Sequence, residues 1–263
     1  MLNVGRRRRH ALRVLKVALV HPVEIADRIR NRLELREERK YEPSLSQIPP
    51  RNDWSAAVHA LLAAKPTQAC REGFRDVWSA IEREAGRMGY GHDADVRLGQ
   101  CLYCIVTHSS AKRVLETGVA RGVSSRVILE AFKKTGQEGH LWSIDLPPLL
   151  EGWHDLAGTA VPQELSGNWT YIRGSSRRRL DPLLSSLDDL DVFVHDSLHT
   201  NSTVLFELEH AWTHLRKSGI VLIDDVDDNE AVQLFTSIHP ECEVIVVDHQ
   251  VKEGRFAVLR KDG

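Results

Sequence analysis

The spacing of apolar residues changes from helical to strand-like near residue 112. Between residues 51 and 111 apolar side chains recur at helical intervals, as at Trp54, Val58 and Leu61. From residue 112 onward, short apolar runs rich in β-branched residues alternate with helical stretches. The pattern therefore predicts a helical segment followed by an α/β domain.

Seven of the apolar runs are predicted strands, and four stretches between them are predicted helices. The strands cover residues 113–119, 140–146, 169–173, 191–195, 219–224, 242–248 and 255–260, and the helices cover residues 124–134, 178–187, 202–215 and 229–237. Strands that alternate with helices predict a doubly wound, mostly parallel sheet. No helix fits between the last two runs, so they predict an antiparallel hairpin at one edge.

The chain divides into three predicted regions. Residues 1–50 form a charged, helical N-terminal extension, residues 51–111 a helical segment that packs on the core, and residues 112–263 the α/β domain. The basic start of the extension, Arg6 to Arg9, predicts a solvated amphipathic helix or a frayed tail, or else a surface that contacts anionic lipid or a partner. No apolar run approaches the roughly 20 residues that span a bilayer.

Composition narrows the possible classes of protein. The formal net charge of −2 argues against a general nucleic-acid binder, which carries a strong basic excess. Four cysteines in 263 residues do not make a disulfide framework, so we predict a reducing, cytoplasmic compartment. The pair Cys101 and Cys104 has the C-x-x-C spacing but no second pair, and it predicts core cysteines rather than a zinc site.

A glycine turn between the first predicted strand and helix is the strongest local signal. Gly118 and Gly122 allow a tight turn and close approach of a ligand, and the helix beginning at Ser124 offers free N–H groups. The spacing differs from the G-x-G-x-x-G of dinucleotide sites. Glu116, at the end of the strand, suits a cationic ligand better than a phosphate.

The next two strands end in residues that suit a nucleoside. Asp145 ends the second strand, where a carboxylate accepts hydrogen bonds from ribose hydroxyls, or alternatively caps the following loop. Ser175 and Ser176 follow the third strand, where they line an adenine edge or form a plain turn. Because carboxyl ends of parallel strands share one edge, these residues are predicted to converge with the glycine turn.

Acidic residues and a histidine follow the fourth and fifth strands. Asp196, Asp224 and Asp225 predict a site for Mg²⁺, Mn²⁺ or Ca²⁺, since carboxylates in one cleft repel each other without a cation. The alternative is that they only cap loops. His199 is the predicted general base, because imidazole titrates near neutral pH. His195 is predicted to bond locally.

Taken in order, these motifs resemble those of class I S-adenosylmethionine-dependent methyltransferases, in a bacterial branch related to small-molecule O-methyltransferases. The resemblance spans residues 112–261 and is carried by the segments 114–125, 143–145, 194–200 and 222–226. It implies a Rossmann-like, seven-stranded sheet whose last strand is antiparallel.

The resemblance also implies roles for individual residues. Glu116, Gly118 and Gly122 would hold the methionine part of S-adenosylmethionine, with Asp145 at the ribose. Metal-dependent relatives place carboxylates at the positions of Asp196, Asp224 and Asp225 and a base near His199, so that both Asp196 and His199 are expected to take part in catalysis.

Methyl transfer to a hydroxyl of a small molecule is therefore the predicted activity. A nicotinamide-dependent oxidoreductase is the second candidate, and a cofactor-binding regulatory protein without catalysis is the third. The identity of the acceptor, the choice among oxygen, nitrogen and carbon, and the oligomeric state are left open.

Overall fold

A single seven-stranded sheet organises the part of the chain that the computed structural model describes, which comprises residues 12, 14–38, 48–64, 67–84, 93–136, 138–149 and 156–262. Its strands are β1 Arg113–Thr117, β2 His140–Asp145, β3 Trp169–Arg173, β4 Leu190–His195, β5 Leu215–Ile223, β6 Cys242–Asp248 and β7 Arg255–Lys261. The strand order is β3-β2-β1-β4-β5-β7-β6.

Strands β1 to β5 pair in parallel, and β7 pairs antiparallel with both β5 and β6. The predicted doubly wound sheet with an antiparallel last strand is thus confirmed. Strand β7 lies between β5 and β6, so β6 runs in the same direction as β5. The turn after β6 therefore lies at the edge of the sheet where the parallel strands end.

Eight α-helices with assigned bounds and one 3-10 helix, Gln163–Asn168, accompany this sheet in the described residues. The α-helices are α1 Pro22–Glu38, α2 Trp54–Leu61, α3 Gln68–Glu84, α4 Val96–His108, α5 Val123–Thr135, α6 Ser176–Leu184, α7 Asn201–His214 and α8 Ala231–Ile238. The four helices predicted after residue 112 are present with ends shifted by one to three residues. Strand β5 begins four residues earlier than predicted.

Alternating strand residues bury themselves in two separate cores. Val114 of β1 packs in the core formed with α2 to α5, whereas its neighbour Leu115 packs in the core formed with α6 to α8. Successive side chains of a strand point to opposite faces, so a run that is apolar throughout requires helices on both sides. Each fully buried Leu or Phe in these layers contributes roughly 1.5–3 kcal/mol to folding.

Helix α1 is the part of the N-terminal extension that the structure docks on the domain. It carries the acidic residues Glu24 and Asp27, which are only 8% and 4% exposed although the helix itself is mostly polar. The basic run from Arg6 to Arg9 lies outside the described residues. None of the helices in the described residues is both long and apolar enough to cross a membrane.

The cysteines lie in or beside the core, as predicted for Cys101 and Cys104. Both are buried in α4, and the Sγ of Cys104 lies 3.2 Å from the Sγ of Cys70 in α3. All four cysteines of the chain are free thiols. The reducing, cytoplasmic compartment stays a prediction.

Candidate active site

The glycine turn after β1 packs directly against the end of β4. Gly118 has a φ of +83°, and a Cβ atom there would lie 1.8 Å from the carbonyl oxygen of Asp196. The Gly118 N–H also donates to the carbonyl of Ile144 in β2, at 2.9 Å. Only glycine fits this position, because both the backbone conformation and the neighbouring chain exclude a side chain.

The second glycine of the turn is the N-cap of helix α5. Gly122 has a φ of +85°, and a Cβ atom there would lie 3.1 Å from the Cα of Gly158. Between the two glycines, Arg121 is buried and donates through Nη2 to Asp93 at 2.6 Å. The turn is therefore held from the helical segment as well as from the sheet.

Glu116 is a buried anchor of this turn. Its carboxylate accepts hydrogen bonds from the hydroxyls of Ser124 at 2.5 Å, Ser125 at 2.5 Å and Ser143 at 2.8 Å. The side chain is fully buried, and burial raises the pKa of this carboxyl above its usual range. The geometry gives Glu116 the task of joining β1 to α5 and β2, and it leaves no exposed oxygen for a ligand.

Asp145 lies at the end of β2, next to the glycine turn. Its carboxylate accepts a hydrogen bond from the N–H of Val119, and the Tyr171 hydroxyl lies 3.4 Å from Oδ2. Burial raises the pKa of Asp145 to about 6. Unlike Glu116 it is partly exposed, so it has an open side that a ligand can reach.

The two serines predicted beside the adenine lie where β3 leads into α6. Ser175 precedes the helix and is buried, and Ser176 is its first residue. Helix α1 packs over this junction. Its Glu24 pairs with Arg173 at 2.8 Å, and its Asp27 pairs with Arg178 at 2.8 Å.

Helix α1 reaches two further loops at the same edge of the sheet. Arg28 donates to the carbonyl of Pro147, after β2, at 2.7 Å. At the other end, Glu34 accepts from the Thr203 hydroxyl at 2.8 Å, and Glu38 accepts from the Asn201 N–H at 3.0 Å. The helix thus spans the ends of β2, β3 and β4. The predicted charged, helical extension carried no prediction of this contact.

The histidines after β4 have different environments. His195 is fully buried, and its Nδ1 lies 2.6 Å from Glu207, which also accepts from Thr117 and Ser197. His195 therefore bonds locally, as predicted.

His199 faces the cleft instead. Its Nε2 lies 3.6 Å from Oδ2 of Asp225 and 3.8 Å from Oδ1 of Asp196. Burial and the neighbouring His195 lower the pKa of His199, and its Nδ1 has no hydrogen-bond partner among the described residues. A neutral imidazole beside two carboxylates is able to accept a proton.

The end of β5 contributes the next two carboxylates. Asp225 has a φ of +48°, a left-handed conformation that places its side chain toward Asp224 and His199. Burial and the nearby Asp224 raise the pKa of Asp196. Asp224 and Asp225 thus lie together at the end of β5, and His199 lies within 4 Å of both Asp225 and Asp196, which follows the neighbouring strand β4.

Two residues of the β6–β7 turn complete this cluster, and neither was predicted from the sequence. His249 Nε2 lies 2.9 Å from Asp224 Oδ1, and Lys252 Nζ lies 2.7 Å from Asp224 Oδ2 and 3.5 Å from Asp225 Oδ1. Although burial alone would lower it, these carboxylates raise the pKa of His249 to about 10. The tightest group of potential metal donors in the described residues is Asp224, Asp225 and His249, with atoms within 4.8 Å of one another.

Asp95 fixes the turn that carries these residues. It is the N-cap of α4, where it accepts from the Arg97 N–H at 2.8 Å, and it also accepts from the N–H groups of Gln250 at 3.0 Å and Val251 at 2.8 Å. Arg97 in turn donates to the carbonyl of Asp248 at 2.7 Å. The start of α4 therefore positions the β6–β7 turn.

Comparison with known proteins gives a family match over the middle of the chain. Residues 115–226 match the family described as a methyltransferase domain. No curated protein matches the chain.

Solved structures share the fold at low sequence identity. The O-methyltransferase TomG of Streptomyces achromogenes, solved with S-adenosylmethionine and involved in tomaymycin synthesis, is similar with a TM-score of 0.55 and 16% identity, over 81% of this chain and 97% of that one. An O-methyltransferase of Bacillus cereus, solved with S-adenosylhomocysteine, is similar with a TM-score of 0.55 and 14% identity, over 79% of this chain and 96% of that one. Residues 115–226 thus match a methyltransferase domain, and the solved structures share the fold of this chain.

Proposed function

We propose that this chain transfers a methyl group from S-adenosylmethionine to a hydroxyl of a small molecule. The family match and the fold support methyl transfer. The observation that carries the choice of a hydroxyl is the position of His199, whose imidazole lies within 4 Å of Asp196 and Asp225. Asp196 in turn contacts the glycine turn of the cofactor site.

The residues at the strand ends fit the parts of this cofactor. Asp145 offers a partly exposed carboxylate for the ribose hydroxyls, and the Gly118–Gly122 turn leads to the free N–H groups of α5. Ser175 and Ser176 are candidates for the adenine edge. Because Glu116 is saturated by serine hydroxyls, we assign it to support the turn rather than to contact the methionine part.

The cofactor supplies a methyl group activated by a sulfonium. In the proposed step the acceptor oxygen forms a bond to the methyl carbon while the carbon–sulfur bond breaks, and its hydroxyl proton passes to His199. The protein contributes chiefly by holding the two reactants in line and by stabilising the charge that develops on the oxygen.

A divalent cation at Asp196, Asp224 and Asp225 fits the observed donors poorly. The Lys252 ammonium already lies near Asp224 Oδ2 and Asp225 Oδ1, and His249 lies beside the other oxygen of Asp224. A cation entering there would have to displace a charged side chain of the chain itself. We therefore assign no step to a metal.

Ligand-dependent stability tests the proposal. S-adenosylmethionine and S-adenosylhomocysteine should each raise the melting temperature by several degrees at about a hundred times their Kd, because such binding adds roughly 2.7 kcal/mol to the folded state. The Asp145→Ala variant should lose the shift. A shift with NAD alone would favour the oxidoreductase, and a shift with both S-adenosyl compounds but no turnover on any acceptor would favour the regulatory protein.

A further inference from the structure

Lys252, in the β6–β7 turn, lies beside two of the carboxylates that were predicted from the sequence to bind a metal. Its Nζ is 2.7 Å from Asp224 Oδ2 and 3.5 Å from Asp225 Oδ1. The side chain of Lys252 is 23% exposed, so it is neither sealed in the core nor free in solvent. After burial and His195, the positive charge of Lys252 is a further cause that lowers the pKa of His199.

The position of Lys252 is imposed by the backbone. Asp95 accepts from the N–H groups of Gln250 and Val251, and the N–H of Lys252 itself lies 3.3 Å from the same carboxylate. Asp95 is 4% exposed and belongs to the start of α4. A long side chain loses much conformational entropy when it is held in one place. Because the turn is anchored, the backbone position from which the Lys252 side chain starts is already restricted.

The Lys252 ammonium supplies the positive charge for which a metal was predicted, since it lies beside the carboxylates that would otherwise repel each other. Asp224 is almost fully buried, and a buried carboxylate requires a compensating positive charge. Lys252 and His249 together provide that charge, and the Lys252 ammonium has three N–H donors, of which Asp224 takes one. The remaining donors can serve Asp225 and an acceptor oxygen.

We propose that the Lys252 ammonium takes the place of a divalent cation in this site. It holds Asp224 and Asp225 together and donates a hydrogen bond to the acceptor oxygen as that oxygen gains negative charge. The inference rests on the proposed methyl transfer for its catalytic part, whereas the exclusion of metal depends only on the cluster. Lys252 is thus the residue that makes the reaction independent of metal.

Binding of Mn²⁺ alone tests the exclusion of metal without any methyl acceptor. The full chain, first stripped with EDTA, is titrated with Mn²⁺ and followed by the electron paramagnetic resonance of free Mn²⁺. We expect the unchanged chain to leave Mn²⁺ free up to millimolar concentration. Lys252→Met keeps the stem and removes the charge, so it should bind Mn²⁺ at least tenfold more tightly, whereas Lys252→Arg keeps the charge and should not.

Two further comparisons complete the test. Lys217→Met removes an exposed lysine of β5 and should change nothing. Where an acceptor is found, turnover of the unchanged chain should resist EDTA, and Lys252→Met should lose at least tenfold in kcat and regain part of it with Mn²⁺. Tight binding of Mn²⁺ by the unchanged chain, or an unaltered Mn²⁺ titration in a folded Lys252→Met, would overturn the inference. Failure of the S-adenosyl compounds to bind would overturn the proposed function and leave the Mn²⁺ result to decide the metal question.

Discussion

The Cα atom of Gly118 lies so close to Asp196 that a Cβ atom would come within 1.8 Å of the Asp196 carbonyl oxygen. This contact joins the turn after β1 to the turn after β4, and these two turns carry the candidate cofactor and catalytic residues. The two loops are therefore built as one unit.

Gly118→Ala should consequently be far more destabilising than an ordinary glycine substitution. The left-handed backbone costs about 1–2 kcal/mol for a residue with a Cβ atom, and the clash with Asp196 should bring the loss of unfolding free energy above about 3 kcal/mol. Gly136→Ala is the matched control, since Gly136 also has a positive φ, +64°, but has open space where the Cβ atom would be. Its loss should be only about 1 kcal/mol. Equal losses in urea unfolding would contradict the proposed contact.

Asp145 should make cofactor binding depend on pH. Because burial raises its pKa to about 6, the carboxylate is mostly ionised at pH 7 and mostly protonated at pH 5. If the ionised form accepts the ribose hydroxyls, the affinity for S-adenosylhomocysteine should fall about tenfold between pH 7 and pH 5. Asp145→Asn should bind weakly at both pH values, and Asp188→Asn, at an exposed surface position, should follow the unchanged chain. Calorimetric titration would measure these affinities.

The same pKa shift has an opposite effect on stability. The folded-state pKa of Asp145 lies above its value in an unfolded chain, so its contribution to stability is fully present below pH about 4. That contribution is lost as the pH rises through about 6. Unfolding in urea at pH 4 and pH 7 should show Asp145→Asn gaining stability relative to the unchanged chain only at the higher pH.

Glu116→Gln separates a supporting role from direct ligand contact. A glutamine amide cannot accept all three serine hydrogen bonds, so the free energy of unfolding should fall by about 1–3 kcal/mol. The Kd for S-adenosylhomocysteine of the folded variant should stay within a few-fold of the original. Glu138→Gln, at an exposed position before β2, is the control for loss of a carboxylate. A large rise in Kd with unchanged stability would instead indicate that Glu116 contacts the ligand directly.

His199→Ala should remove catalysis without removing the cofactor. General-base catalysis contributes about 10²–10⁴-fold, and kcat on any acceptor found by release of S-adenosylhomocysteine should fall by that factor. The thermal shift with S-adenosylmethionine should be retained. His210→Ala, at a partly exposed position of α7 that pairs with Asp181, should keep full activity. Full activity of His199→Ala would exclude His199 as the base.

The ion pairs of α1 should make its docking sensitive to salt. Glu24 and Asp27 are buried against Arg173 and Arg178, whose side chains are 30% and 46% exposed. The double variant Glu24→Gln and Asp27→Asn should be cleaved faster by a protease within residues 22–38. For the unchanged chain, 0.5 M NaCl should also speed this cleavage, because salt screens partly exposed ion pairs. Asp53→Asn removes a surface pair and should not alter cleavage. Equal cleavage in all samples would show that the ion pairs do not hold the helix.

The sheet could be predicted from the sequence because strands such as β4 and the second half of β5 are nearly continuous apolar runs. Such runs must be covered on both faces, so Val114 and Leu115 belong to different cores, and the alternation with helices then gives the order of the domain. Asp145, Asp196 and His199 could be placed as well, since all of them lie at or just after the ends of parallel strands. Residues whose positions follow from the order of the strands alone could thus be predicted from the sequence.

Other parts of the site depend on partners far away in the chain. Ser124 and Ser143, which donate to Glu116, both lie in motifs that the sequence singles out. Nothing in their spacing, however, shows that they donate to both oxygens of the carboxylate. Lys252 lies 28 residues from Asp224 in a turn that resembles an ordinary exposed hairpin. One feature of the sequence did point to this turn. If β7 pairs antiparallel with β5, the turn between β6 and β7 must lie at the edge of the sheet where the parallel strands end.

Asp93 and Asp95 stand two residues apart before α4, and each holds a different side of the cleft. Asp93 holds the glycine turn through Arg121, and Asp95 holds the turn that carries Lys252. A ligand that immobilises one turn therefore reduces the freedom that the other turn still has to lose. Methyl donor and acceptor are expected to bind with positive cooperativity, and each should raise the affinity of the other by the same factor.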